Sequence, residues 1–328
     1  MTKHLREHPR ELDFLVEATS AHLGIPKAFV EKDFWVTEVL RSATAACSVR
    51  MDYGFDSPVS FVFKGGTSLS RVFGLISRFS EDVDLLAVFP PMASISARHR
   101  VLKQVDRHVQ EHLGLSQEEV STSSSTNGVK RFTRYPYRAT SSSNEIREGV
   151  LLELGTRGSR SPFIEHEYRS LISDFAIREL READTAWEEF GAFRVLVLAP
   201  ERTLLEKLSA VHDAAVRRDS RDLVRFGRHF HDIHFLLKSD AVLQSLTDLG
   251  AAGIQEIFHE IYVESLEAGL NASPRPEGGY ANSPAFDPDY VLSNEIARGV
   301  DLAKGLLYVE GPSIHEIQAT VRQLSALL

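Results

Sequence analysis

Lys64-Gly65-Gly66-Thr67-Ser68-Leu69-Ser70 is followed a short way on by Arg78-Phe79-Ser80-Glu81-Asp82-Val83-Asp84-Leu85. The apolar run Phe61-Val62-Phe63 runs into two glycines, so Phe61–Gly66 reads as a short buried strand stopped by a turn. Thr67 and Ser68 suit the first turn of a helix, and the spacing predicts one over Thr67–Phe73. Asp82–Val88 reads as a second strand, closed by Pro90-Pro91. On that strand Asp82 and Asp84 stand two apart and therefore share a face, about 7 Å from each other along the backbone. Carboxylates so placed can converge on one or two Mg²⁺ (or Mn²⁺) ions, hard cations that take oxygen ligands. The paired glycines let backbone N–H groups approach a phosphate with no Cβ in the way, and a helix N-terminus behind them adds a favourable field. Each feature alone is common. In this order they fit a metal-bound nucleoside triphosphate, although the chain has no Walker G-x-x-x-x-G-K-[ST] loop.

Around this stretch the chain alternates strand and helix. Helical periodicity marks Glu11–Ala21, the segment after Pro26, Ser96–Leu113 and a stretch near Asp174–Glu182. Gly149–Leu154 and Phe193–Leu198 read as strands, Asp52–Val59 as turn-rich, and the serine-rich STSSSTNG at 121–128 as a loop. From Pro200 onward nearly everything reads helical, apart from the Pro- and Gly-rich Asn271–Tyr290. The expected fold is α+β: a mixed-sheet α/β domain with N-terminal helices over residues 1–199, then a mainly helical domain over 200–328.

The 328 residues are 43% hydrophobic and 25% charged, enough for a real core. One cysteine, Cys47, excludes an internal disulfide framework and a multi-cysteine zinc site. No run of eighteen apolar residues suggests a membrane span, and MTKHLREHPRELDF has no apolar signal core, so the chain reads as cytoplasmic with no membrane partner. A net charge of −9 disfavours indiscriminate nucleic-acid binding, yet two stretches are locally basic. Lys130–Arg138 carries four positive charges and three aromatics, a composition that can grip single-stranded RNA by charge and stacking. Arg217–Arg228 carries five positive charges against two negative. There Arg221, Arg225, Arg228 and Asp232 would form one stripe on a continuous helix, with Leu223, Phe226, Phe230, Ile233 and Leu237 on a separate apolar stripe. Guanidinium groups in such a stripe suit a polyphosphate or an RNA backbone, and the alternative is a solvated helix face. Glu153, in the otherwise apolar Val150-Leu-Leu-Glu-Leu154, is either a third metal ligand or an edge residue facing water. His229, His231 and His234 invite a zinc reading, but on a helix His229 does not share the face of the other two.

The motif KGGTSLSR…RFSEDVDL resembles the signature of the AbiEii/AbiGii nucleotidyltransferase toxin family, which includes the MenT-type toxins and belongs to the DNA polymerase β-like nucleotidyltransferase superfamily. Three further segments are similar to that family in the same order: Val30-Glu-Lys-Asp-Phe-Trp-Val36, Ala199-Pro-Glu-Arg-Thr-Leu-Leu-Glu-Lys-Leu208, and Arg225-Phe-Gly-Arg-His-Phe-His-Asp-Ile233, in which His231 stands where the family tends to an aromatic. The resemblance implies a polymerase β-like core. It implies that Lys64, Gly65, Gly66, Thr67 and Ser68 cradle the phosphates, with Arg221, Arg225 and Arg228 assisting, and that Asp82 and Asp84 hold Mg²⁺. Lys207 would contact the triphosphate, Asp232 would complete the catalytic set, and Ser80 is either a regulatory phosphosite or simply a strand-initiating serine. The implied activity is transfer of a nucleoside monophosphate from an NTP to RNA, the tRNA 3′ end, by the toxin of a toxin–antitoxin pair whose cognate antitoxin is a further partner. Two other readings share these residues: nucleotidylylation of a protein, and a catalytically inactive nucleotide-binding module. Intact Asp82, Asp84 and Lys207 speak against the inactive one.

Overall fold

The computed structural model describes residues 3–52, 54–140, 146–156, 162–267, 271–307 and 309–328. They form two units. The first takes the chain to Thr67, then Glu81–Thr156 and Phe163–Val197; the second takes Ser68–Ser80, Pro162 and Leu198–Leu328. Sequence order alone would give Ser68–Ser80 to the first half, but this segment carries Leu69 and Ile76 into the apolar core of the second unit.

The first unit begins with α1 (Pro9–Leu23) and α2 (Lys27–Ala43), followed by β1 (Cys47–Arg50), β2 (Asp56–Lys64) and the start of α3 (Gly65–Arg71). It continues through β3 (Asp82–Val88), α4 (Ile95–His112), β4 (Ser121–Thr126), β5 (Lys130–Tyr135) and β6 (Val150–Gly155). The last elements are β7 (Phe163–Tyr168), α5 (Leu171–Arg178) and β8 (Phe193–Leu198). Among the described residues the strands make one mixed sheet in the order β4-β5-β6-β3-β2-β8-β7, with β1 also paired to β2. At its centre β3 runs antiparallel to β2 and parallel to β6. The α+β architecture expected from the pattern is therefore present.

Local readings changed in three places. β2 starts at Asp56, inside the stretch read as turn-rich, because Asp56–Val59 pairs with β1. β7 had no clear signal: its Phe163 and Ile164 are exposed, so apolar alternation does not mark a buried face. Serine-rich 121–126 is the edge strand β4 rather than a loop, held by its ladder to β5. The same pairing corrects the single-stranded-RNA reading of Lys130–Arg138. Tyr135 is fully buried and its hydroxyl donates to Asp106, Arg131 Nε is 2.6 Å from Asp106 Oδ2, and Tyr137 stacks on Trp35. Tyr135 and Tyr137 are thus engaged within the fold.

Helix α2 is unusual in burying charged residues along with its apolar ones. Each charge has an assignment. Glu31 accepts from the Thr140 backbone N–H at 2.8 Å. Lys32 donates to the carbonyls of Arg147 and Gly149 and lies 3.5 Å from Glu81. Asp33 Oδ2 accepts at 2.7 Å from the N–H of Leu171, the first residue of α5. Burial without such partners would be strongly unfavourable, so the Glu-Lys-Asp triplet ties three separate loops to one helix.

The second unit is helical: α6 (Pro200–Val216), α7 (Ser220–Arg225), α8 (Gly227–Leu237), α9 (Asp240–Glu267), α10 (Ser293–Ala303) and α11 (Ile314–Gln323). Pro200 opens α6 at a position that needs no N–H partner. Its core joins Leu204, Leu208 and Val211 of α6 with Phe230 and Ile233 of α8 and Val300 of α10. A Cβ on Gly227 would overlap the Gly299 carbonyl, so only glycine lets α8 and α10 approach this closely. Among the described residues no helix is long and apolar enough to cross a membrane. Asp33→Ala leaves the Leu171 N–H at the start of α5 without its carboxylate, and equilibrium urea unfolding is expected to register a loss of about 1–2 kcal/mol.

Candidate active site

The turn between β2 and α3 is set by one backbone angle. Gly65 has φ of +80°, and a Cβ there would fall on the carboxylate of Asp84. Any other residue would be strained and would displace that aspartate. Thr67 Oγ1 donates to the Asp82 carbonyl at 2.6 Å, pinning the start of β3 to the start of α3. Thr67 and Ser68 are both buried, so their side chains are part of the support.

Strand pairing then builds a row of charges. Lys64 on β2 is opposite Asp84 on β3, and Asp84 is opposite Glu153 on β6. Glu153 is thus not an edge residue; it sits on an inner strand beside the Asp-x-Asp pair. Burial, the charges of Asp84 and Asp82, and a hydrogen bond with Asp84 push the Glu153 carboxyl up to about 7, with Lys64 pulling the other way. Asp82 Oδ1 is buried and has no hydrogen-bond partner among the described residues. Among those residues no group of three or more His, Cys, Asp or Glu is placed to hold a metal ion as the side chains stand. The donor chemistry is that which suits a hard divalent cation: an orphaned buried carboxylate oxygen and neighbouring like charges.

In the second unit a different cluster forms. Asp232 on α8 is fully buried and holds a fork from Arg78, with Nε–Oδ1 at 2.6 Å and Nη2–Oδ2 at 2.9 Å. Lys207 Nζ on α6 lies 2.9 Å from the same Oδ2. Burial would raise the Asp232 carboxyl, but the charges and hydrogen bonds of Arg78 and Lys207 hold it well below the usual carboxylate range. Both carboxylate oxygens are engaged, so Asp232 acts as an anchor for two cations. Arg78 escaped the sequence reading because its partner lies 154 residues away, a distance that no helical or strand period exposes. Ser80, two residues further on, is partly buried in this unit.

The single arginine stripe does not exist. The chain breaks at Phe226 between α7 and α8, leaving Arg221 and Arg225 on one helix and Arg228 on the next. Arg225 is exposed and lies 2.8 Å from Asp222, whereas Asp232 is buried. The histidines diverge as well. His231 Nε2 meets the Val300 carbonyl at 2.9 Å, His234 Nδ1 meets Thr320 at 3.1 Å, and His229 Nδ1 faces Lys207 at 3.4 Å. They do not converge as zinc ligands would.

A family model described as the nucleotidyl transferase AbiEii toxin of type IV toxin–antitoxin systems matches residues 54–279. The chain belongs to that family. A comparison with curated proteins found no match. The matched span takes in the AbiEii residues just described, from the Gly65 turn through Asp82, Asp84 and Glu153 to Lys207 and Asp232. AbiEii proteins are nucleotidyl transferase toxins, which implies an NTP substrate and a cognate antitoxin for this chain.

Replacing Asp232 with Ala would leave Arg78 and Lys207 buried without their carboxylate, and urea unfolding at pH 7 is expected to show a loss of about 3–5 kcal/mol. Because the native carboxyl is held low, its stabilisation is full above the unfolded-state value and fades as pH falls toward the native one. The gap between wild type and Asp232→Ala should accordingly shrink below about pH 4.

Proposed function

We propose that this AbiEii protein is a metal-dependent nucleotidyltransferase that moves a nucleoside monophosphate from an NTP to the 3′ end of an RNA, specifically tRNA, and so stops translation. The observation that carries the reading is the row of Asp82, Asp84 and Glu153 on neighbouring inner strands, beside a glycine turn that no other residue could make. These three would hold Mg²⁺ or Mn²⁺, which when bound supplies Lewis-acid activation of the attacking hydroxyl and of the departing pyrophosphate. The RNA 3′-oxygen attacks the α-phosphorus, the bond to pyrophosphate breaks, and the hydroxyl proton leaves to solvent. Lys64 tempers the carboxylate row, Gly65 keeps Asp84 in place, and the 64–68 turn offers backbone to the phosphates. Lys207 neutralises charge on the triphosphate, with Asp232 and Arg78 fixing its position. Catalysis on this reading is positioning and electrostatics, as for phosphoryl transfer in general.

The RNA acceptor is supported by the family resemblance and by arginines outside the core. Arg221 is exposed, Arg228 is partly so, and neither has a carboxylate at ion-pair distance among the described residues. Guanidinium groups in that state suit phosphates of a nucleic-acid backbone.

Incubation of purified protein with Mg²⁺, each α-labelled NTP in turn and total cellular RNA should place label in RNA of tRNA length. Asp82→Ala should lower incorporation by about a thousandfold or more. Label in protein instead would redirect the assignment to protein nucleotidylylation, and no label from folded protein would leave a binding module. In a separate measurement, calorimetric titration with Mn²⁺ alone should show tighter binding to wild type than to folded Glu153→Gln, by about tenfold; equal affinities would remove Glu153 from the ligand set.

A further inference from the structure

The transferase reading leaves one side chain of the buried cation cluster without a task. His229 Nδ1 is 3.4 Å from Lys207 Nζ, and its ring stacks on Phe226 with centroids 4.7 Å apart and planes 13° from parallel. An ammonium can only donate, so Nδ1 must present its lone pair and the ring proton must sit on Nε2. A neutral ring agrees with the surroundings, since burial and the neighbouring Lys207 charge push its pKa well below the ordinary histidine value. His231 and His234 bond elsewhere, so His229 alone of the three meets the lysine.

Lysine is a flexible four-carbon stem, and a single ion pair leaves its ammonium free to turn about the terminal bond. Asp232 supplies one acceptor at 2.9 Å. A second acceptor at His229 fixes the rotation, because two occupied hydrogens determine the direction of the third. The stack on Phe226, the residue between α7 and α8, fixes the imidazole in turn.

We propose that His229 is a positioning residue that, with Asp232, locks the Lys207 ammonium so that its third hydrogen is presented to the triphosphate. The proposal rests on the reading of Lys207 as the cation that the triphosphate meets. It goes beyond that reading by assigning the neutral acceptor that orients this cation and the stack that holds the acceptor.

The side-chain chemistry supplies its own controls. His229→Asn keeps an acceptor oxygen near the place of Nδ1, His229→Gln moves the amide toward Nε2, and His229→Phe keeps an aromatic stack on Phe226 with no acceptor. Equilibrium binding of the four ribonucleoside triphosphates, each with Mg²⁺, would be measured on the full chain, with thermal unfolding of every variant alongside. For the NTP that wild type holds most tightly, His229→Phe should bind about five- to tenfold more weakly and His229→Asn within about twofold of wild type. In a Lys207→Met background, His229→Phe should add no further loss, because the acceptor then has nothing to orient. Wild-type affinity in His229→Phe, with Lys207→Met weakened, would overturn the proposal while leaving the lysine's role intact. A His229→Phe penalty that persists undiminished in Lys207→Met would overturn it too. If Lys207→Met itself binds as tightly as wild type, the reading beneath fails and this proposal with it. Should His229→Phe not fold, the Asn and Gln pair decides: Gln weakened with Asn preserved supports the proposal, and equal affinities overturn it.

Discussion

Three carboxylates on two neighbouring strands repel one another, and much of the first unit is arranged around that repulsion. The pairing of β3 with β6 sets Glu153 against Asp84, and Asp82 shares the face of Asp84. Burial and the two neighbouring aspartates push the Glu153 carboxyl up to about 7, against the pull of Lys64. Relief from protein cations is incomplete. Lys64 stands opposite Asp84, and Lys32 is turned toward Glu81 and two backbone carbonyls. Hydrophobic packing alone would favour replacing such a group of acids, which marks them as candidates for function rather than for stability.

Rigidity of the surroundings follows from the same constraint. Side chains that repel will swing apart unless the backbone beneath them is fixed, and several contacts here fix it. The Thr67 hydroxyl binds the Asp82 carbonyl, Lys32 binds the two carbonyls that lead into β6, and Glu81 accepts the Arg147 N–H at 2.9 Å. The Val30–Val36 motif, far from the aspartates in sequence, thereby supports the strands that bear them. Its charged residues are buried and hydrogen-bonded, which accounts for acidic and basic side chains on a helix with almost no solvent-facing side.

What could be read from the chain was whatever has a short period or a fixed local chemistry. The glycine turn, the Asp-x-Asp strand and the Pro200 helix start are all signalled within a few residues, and each stands where its local chemistry puts it. Edge strand β4 was missed because six serines and threonines show no apolar alternation, and its stability comes from a partner strand instead. The basic-aromatic segment was misjudged for the opposite reason: its composition suits RNA, but Asp106 and Trp35, remote in sequence, claim Arg131, Tyr135 and Tyr137. The arginine stripe failed on one residue, since spacing assumes a continuous helix and Phe226 interrupts it. Arg78 could not have been singled out, because nothing near it in sequence announces a carboxylate on a distant helix.

Each unit holds a charged cluster of its own. In the first, three acids face one lysine across the strand row. In the second, Arg78 and Lys207 both meet the Asp232 carboxylate, and the histidine beside them is held neutral. A buried surplus of either sign is unfavourable and is offset most effectively by a ligand of the other sign. Two cations on one carboxylate explain why Asp232 is held so acidic despite its burial. Were that carboxyl to protonate, Arg78 and Lys207 would lose the charge that offsets theirs, and the lysine would lose its anchor.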